Sequence, residues 1–213
     1  MKTDELVSLL ATGVEPIDAR RVMRRYALAI AGGILGALAI TGGILHFNRT
    51  LSHEVFEPMF WIRGAYCAAL GSLGLAAIAR LARPGIRLGV VPVGIGAVVI
   101  AMWIFAALTL LTAPAQDRAH LLLGTTAAVC PFLITLVAAP LFVAFVWALR
   151  GQAPTQLRSA GAAGGFAAGA FGALAYSLHC PELTAPFIGV WYLLGMLIPT
   201  VIGASLGPRL MRW

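Results

Sequence analysis

Long apolar runs alternate with short polar ones along the whole of this chain. The runs fall at about 26–47, 60–79, 90–112, 121–149, 159–178 and 187–206, and each is near or above the ~20 residues a helix needs to cross a bilayer. The pattern predicts an all-α membrane protein, a bundle of six transmembrane helices, whose even number of crossings brings both termini to one side. Three parts follow: an N-terminal segment 1–25, a six-helix transmembrane domain 26–206 and a C-terminal tail 207–213. In the first part, Thr3 can cap a short helix, Asp4 and Glu5 suit its positive end, and Leu6, Leu9 and Leu10 share one face before Gly13 stops it. Pro16 can start a second helical stretch that leads into the first span.

Two runs depart from a plain span. The run 121–149 would measure about 43 Å as one straight helix, which is longer than a bilayer core is thick. A split resolves this, with the crossing at about 131–149, Pro131 in the first helical position, Cys130 as N-cap, and 121–128 along the outer surface; a single tilted helix kinked at Pro131 is the alternative. In the fifth run Gly161, Gly165 and Gly169 recur every fourth residue and Ala173 continues the row, a surface for close helix packing, either inside the bundle or across a homodimer. Gly32 and Gly36 make a weaker row in the first span.

Composition supports the class. Of 213 residues 60% are hydrophobic and 11% charged, and mean hydropathy is +0.91, far more apolar surface than a soluble domain of this size can bury. The net charge of +7 is not gathered into one basic patch, so it does not indicate direct nucleic-acid binding. It orients the chain instead. With the N-terminus in the cytoplasm, Lys2, Arg20, Arg21, Arg24, Arg25, Arg80, Arg83, Arg87, Arg150, Arg158, Arg209 and Arg212 fall inside and only Arg49 and Arg118 lie in outer loops. Both termini are therefore expected in the cytoplasm. The first span, preceded by its arginines, is too long for the core of a cleaved signal peptide.

The chemistry concentrates in two Cys-Pro pairs. Cys130 lies twenty residues before Arg150 and Cys180 twenty-two after Arg158, which places both about 30 Å from the cytoplasmic ends, at the outer membrane boundary. Pro181 disfavours helix at Cys180, so the fifth span should end there with its thiol close to the outer aqueous phase. Three roles stay open: a disulfide or switchable dithiol, a thiol-rich metal site that recruits His179 and Glu182, or two small buried residues. Cys67 reaches only about 20 Å and reads as a core residue.

Other candidates are weaker. His46, His53, Glu54 and Glu57 flank the first outer loop and could bind a metal, although such residues at an interface are usually solvated. Arg63 lies about one turn inside the second span, from which it can snorkel outward or pair with Glu57 or Glu182. Trp61, Trp147, Trp191 and Trp213 near span ends suit interfacial anchoring. The spans hold no deep carboxylate pair for proton-coupled transport, and the chain has no nucleophile-base set, phosphate loop or haem-ligand pair. No enzyme and no resident cofactor are expected.

The opening Met1-Lys2-Thr3-Asp4-Glu5-Leu6-Val7-Ser8-Leu9-Leu10-Ala11, the Arg-rich entry to the first span, Cys130-Pro131, His179-Cys180-Pro181-Glu182 and the closing Gly207-Pro208-Arg209-Leu210-Met211-Arg212-Trp213 together resemble the NrsF family. The resemblance covers essentially the whole chain and rests on the combination. It implies a six-span bacterial inner-membrane anti-sigma factor that holds an extracytoplasmic-function sigma factor through its N-terminal segment and releases it under metal or oxidative stress. It further implies sensing at Cys130 and Cys180; the residues themselves add His179 and Glu182 as candidates beside them, with Cys130, Cys180 and His179 as candidates for transient metal binding. Asp4, Glu5, Leu6, Leu9 and Leu10 are then the sigma-factor contacts, a small helix-in-groove surface; the same residues could instead lie on the lipid. The competing class is a small membrane redox or transport protein that uses the dithiol directly.

Overall fold

A computed structural model describes residues 19–83, 85–152 and 154–211, all of whose regular structure is helical. The proposed sigma-factor contacts Asp4, Glu5, Leu6, Leu9 and Leu10, and the anchor Trp213, lie outside the described residues. The helices are α1 Ala19–Ile40, α2 Leu51–Glu54, α3 Pro58–Leu81, α4 Val91–Thr112, α5 Arg118–Leu123, α6 Cys130–Arg150, α7 Leu157–Tyr176 and α8 Ala185–Leu210. A π-helical turn, Thr41–Leu45, extends α1, and another, Ile188–Tyr192, lies within α8.

Among the described residues five helices are long and apolar enough to cross a membrane: Ala27–Leu45 at the end of α1, then α3, α4, α6 and α8. The fifth expected span corresponds to α7, which has the length, at 20 residues, but is built largely of Gly and Ala. Its position explains that composition. α7 packs against α8, α3, α6 and α1, so its surface meets other helices and few of its side chains need to be large. A Cβ at Gly169 would stand 2.8 Å from the Met196 Cα of α8, one at Gly172 the same distance from the Ala138 Cα of α6, and one on Gly74 of α3 would stand 2.9 Å from the Ala167 Cα. The expected Gly161, Gly165, Gly169 row thus seats α8 within the bundle, and Ala173 is buried with it. In α1 the close approach is made by Gly33 and Gly36 against Leu141 and Pro140 of α6, whereas Gly32, expected in that row, has no neighbour within 4 Å.

The long fourth run is split. α5 ends at Gly124 and α6 begins afresh at Cys130, one residue earlier than expected, so Val129 is the N-cap and Cys130 the first helical residue. α5 lies across the start of α8, to which Thr184 Oγ1 ties it by donating to the Leu121 carbonyl at 2.8 Å and Trp191 Nε1 by donating to the Leu122 carbonyl at 2.8 Å. α4 is the most exposed of the candidate spans, with only Val91, Met102 and Ala106 buried. Its Trp103 Nε1 donates to the Gly189 carbonyl, 2.9 Å away in the π-helical turn of α8.

Candidate functional site

One end of the bundle gathers the segments 46–57, 113–129 and 177–184. Asn48 N–H donates to the Leu178 carbonyl at 3.0 Å, and His179 Nδ1 bonds the His46 carbonyl at 2.7 Å. This is the end that the charge pattern assigned to the outside.

Cys180 reaches its place because α7 cannot continue. Its N–H still bonds the Tyr176 carbonyl at 3.1 Å, but Pro181 has no N–H and disfavours a helical conformation before it, so the chain turns away after Cys180. Cys130 opens α6 from the facing side, its N–H bonded to the Thr126 carbonyl at 2.9 Å. The two thiols come within hydrogen-bonding reach of each other. The Tyr176 hydroxyl reaches Cys130, and the Tyr192 ring lies 6.0 Å from that of Tyr176 with its buried hydroxyl left without a hydrogen-bond partner. All three cysteines, Cys67 included, are buried and not bridged to one another. The expectation of a Cys180 thiol near the aqueous phase is therefore corrected: Cys180 is fully buried and belongs to the same hydrophobic core as Tyr176 and Tyr192.

Arg63 of α3 occupies the heart of the site and does not snorkel. It is fully buried. Nη1 donates to the carbonyls of Cys180 at 2.8 Å and Glu182 at 2.9 Å, and Nη2 to that of Ser177 at 2.7 Å. Its ion-pair partner is Glu54, 3.8 Å away, in place of the expected Glu57 or the Glu182 carboxylate. Glu54 is itself held by Asn48 Nδ2 and by Thr50 Oγ1 at 2.8 Å. Hydrogen bonding with Cys130, then the Glu182 N–H and the Arg63 charge, bring the Cys180 thiol below its ordinary pKa against the opposing effect of burial.

The Glu182 carboxylate turns to a different partner. Its Oε1 accepts the Thr125 N–H at 2.7 Å and the Thr125 hydroxyl at 2.8 Å. The preceding Gly124 has φ +52°, and a Cβ there would meet the carboxylate at 2.6 Å, so this turn needs glycine on both counts. The result is a second fastening between the loop that carries Cys180 and the turn that leads into Cys130.

The structure thus brings Cys130 and Cys180 together, keeps Glu182 beside them as a loop fastener, and places His179 on the rim against His46. Among the described residues no group of three or more His, Cys, Asp or Glu side chains is arranged to hold a metal ion, in the thiol pair or around His46, His53, Glu54 and Glu57. Sequence reasoning did not assign roles to Tyr176, Tyr192, Gly124 or Thr125. Gly-Thr-Thr at 124–126, a turn signal inside an overlong apolar run, was the visible trace of the last two.

A family model described as negative regulator of sigma F matches residues 10–213 of the chain. A protein of Azospira oryzae called probable anti-sigma-F factor NrsF is 43% identical over 213 residues, covering all of both chains. The anti-sigma-F factor NrsF of Caulobacter vibrioides is 38% identical over 221 aligned positions, again covering both chains completely. No solved structure matches.

Proposed function

Because the chain belongs to the NrsF family of negative regulators of sigma F, we propose that it is a membrane anti-sigma factor that controls a sigma factor of the extracytoplasmic-function type. The observation that carries this reading is full-length similarity to two proteins called anti-sigma-F factors. In this reading the chain crosses the bacterial inner membrane six times, with α7 as the enclosed fifth crossing and both termini in the cytoplasm. Segment 1–25 holds the sigma factor through Leu6, Leu9 and Leu10, with Asp4 and Glu5 meeting basic residues of that DNA-binding partner. The role is regulatory and uses no resident cofactor.

The sensing arm is the Cys130/Cys180 pair. Two unbridged thiols in mutual reach, one with lowered pKa, are placed to close to a disulfide. Oxidation would change how α6 and α7 meet at the outer end and so release the partner at the inner end.

The test uses the full-length chain in detergent micelles and the sigma factors of its own host. Capture of one sigma factor, at least tenfold weaker with Leu6→Asp/Leu9→Asp and reversed by oxidant, supports the proposal. Retention of release in Cys130→Ser/Cys180→Ser would sink the sensing arm, and no capture of any sigma factor would sink the whole.

A further inference from the structure

A guanidinium is permanently charged in proteins, and inside a membrane domain such a group is costly unless fully satisfied. Arg63 offsets that cost through its two terminal nitrogens, while its Nε has no hydrogen-bond partner. Three of its hydrogen bonds go to main-chain carbonyls of one short loop, those of Ser177, Cys180 and Glu182. A counter-ion alone would have neutralised the charge, and Glu54 already provides one. Gripping three carbonyls from six consecutive residues imposes a shape on the loop, which the planar fork of arginine does and the single ammonium of lysine does not. The Cys180 carbonyl is one of those gripped, so the position of Cys180 is set by α3 as well as by the end of α7.

We propose that Arg63 is the positioning residue of the Cys130/Cys180 pair, shaping the loop 177–182 so that the Cys180 sulfur rests against Cys130 and presenting a fixed positive charge that favours attack by that sulfur. This rests on the redox reading of the pair given above. With a peroxide as oxidant, the Cys180 sulfur attacks the O–O bond, which breaks to leave a sulfenic acid and one water. The Cys130 sulfur then attacks the sulfenic sulfur, the S–S bond forms, the S–O bond breaks and a second water leaves. Two thiols have lost two electrons and two protons, and one peroxide has become two waters. The groups that face Cys180 are Cys130 of α6, Tyr176 of α7, Tyr192 of α8, Arg63 of α3 and the Glu182 N–H. Arg63 is the cation of that set.

The experiment follows formation of the Cys130–Cys180 bond in the purified, reduced full-length chain in detergent micelles after addition of hydrogen peroxide, by peptide mass spectrometry over a range of pH. Arg63→Gln is expected to slow the reaction about tenfold at neutral pH and to move its pH profile upward, a tenfold change corresponding to about one pKa unit. Arg63→Lys, which keeps the charge but not the fork, keeps the profile near that of the wild type and lowers the rate. Glu54→Gln leaves the carbonyl grips and removes the opposing charge, so its profile moves downward. These opposed directions are not produced by a residue that only supports folding. If Arg63→Gln does not yield folded protein, Arg63→Lys and Glu54→Gln carry the test. Wild-type rates and profiles in the variants, with the bond forming normally in the wild type, overturn the positioning role alone. Absence of any bond in the wild type overturns the redox reading and this role with it.

Discussion

Glu182 and Thr125 are joined across 57 residues of sequence, the carboxylate accepting both the backbone N–H and the hydroxyl of the threonine. The pairing fixes the entry to α6 against the exit from α7. Charge-assisted bonds in a half-enclosed site contribute about 1.5–3 kcal/mol to stability. Glu182→Ala is expected to lower the thermal unfolding temperature in detergent and to raise hydrogen exchange at the Thr125 amide. Unchanged exchange there would refute the fastening.

Gly124 permits that fastening. Substitution by alanine would force a non-glycine residue to φ +52° and drive a methyl group into the Glu182 carboxylate. A cost of about 1–3 kcal/mol is expected from the backbone alone. The Gly124→Ala/Glu182→Ala pair, measured as a double-mutant cycle by chemical unfolding, should be less destabilised than the sum of the singles, because the clash is absent when the carboxylate is gone.

Arg63→Met tests the buried charge. It removes the partner of Glu54 and of three carbonyls, and loss of one member of a buried pair costs about 3–5 kcal/mol. Thermal unfolding should show a drop larger than that of any single glycine substitution in α1. A melting temperature within error of the wild type would contradict the burial of Arg63.

The glycines separate by location. Gly169→Ala brings a methyl within 2.8 Å of the α8 backbone and should cost about 1–3 kcal/mol through overpacking. Gly32→Ala, with open space around it, should stabilise α1 by about 0.5–1 kcal/mol. Equal effects of the two, in the same unfolding assay, would refute the packing described for α7.

All three cysteines are fully buried. A bulky maleimide is therefore expected to leave Cys67, Cys130 and Cys180 unlabelled in the folded chain and to label all three after denaturation, read as mass shifts. Rapid labelling of Cys180 in the folded state would place it at the surface.

Five long apolar helices were legible because they are continuous apolar runs, and the break before α6 was legible because 121–149 is too long for one crossing. The common height of Cys130 and Cys180 followed from counting residues to Arg150 and Arg158, since helical rise is constant. Their mutual reach did not, because it depends on which helices neighbour α7. The destination of Arg63 was hidden for a similar reason: its acceptors are carbonyls of residues 114 to 119 positions away, and a carbonyl leaves no mark in the sequence. The central place of α7 was hinted at by its glycine row, yet the low hydropathy that comes with those glycines is what removes it from the helices apolar enough to cross on composition alone.

The bond from Trp103 to the Gly189 carbonyl has a consequence for how the sequence of α4 is free to change. α4 meets the bundle through Val91, Met102, Ala106 and that indole, with Ile95, Val98 and Val99 partly buried beside them, and its opposite face, with Ile100, Ile104, Leu108 and Leu111, is exposed. A lipid chain does not distinguish one aliphatic side chain from another. Exchanges among Leu, Ile, Val and Phe at Ile100, Ile104, Leu108 or Leu111 leave the fold unaffected, whereas Trp103 has to remain a tryptophan to keep its ring N–H on α8. Within this helix, drift concentrates on the outward face and restraint on the face that meets α3 and α8.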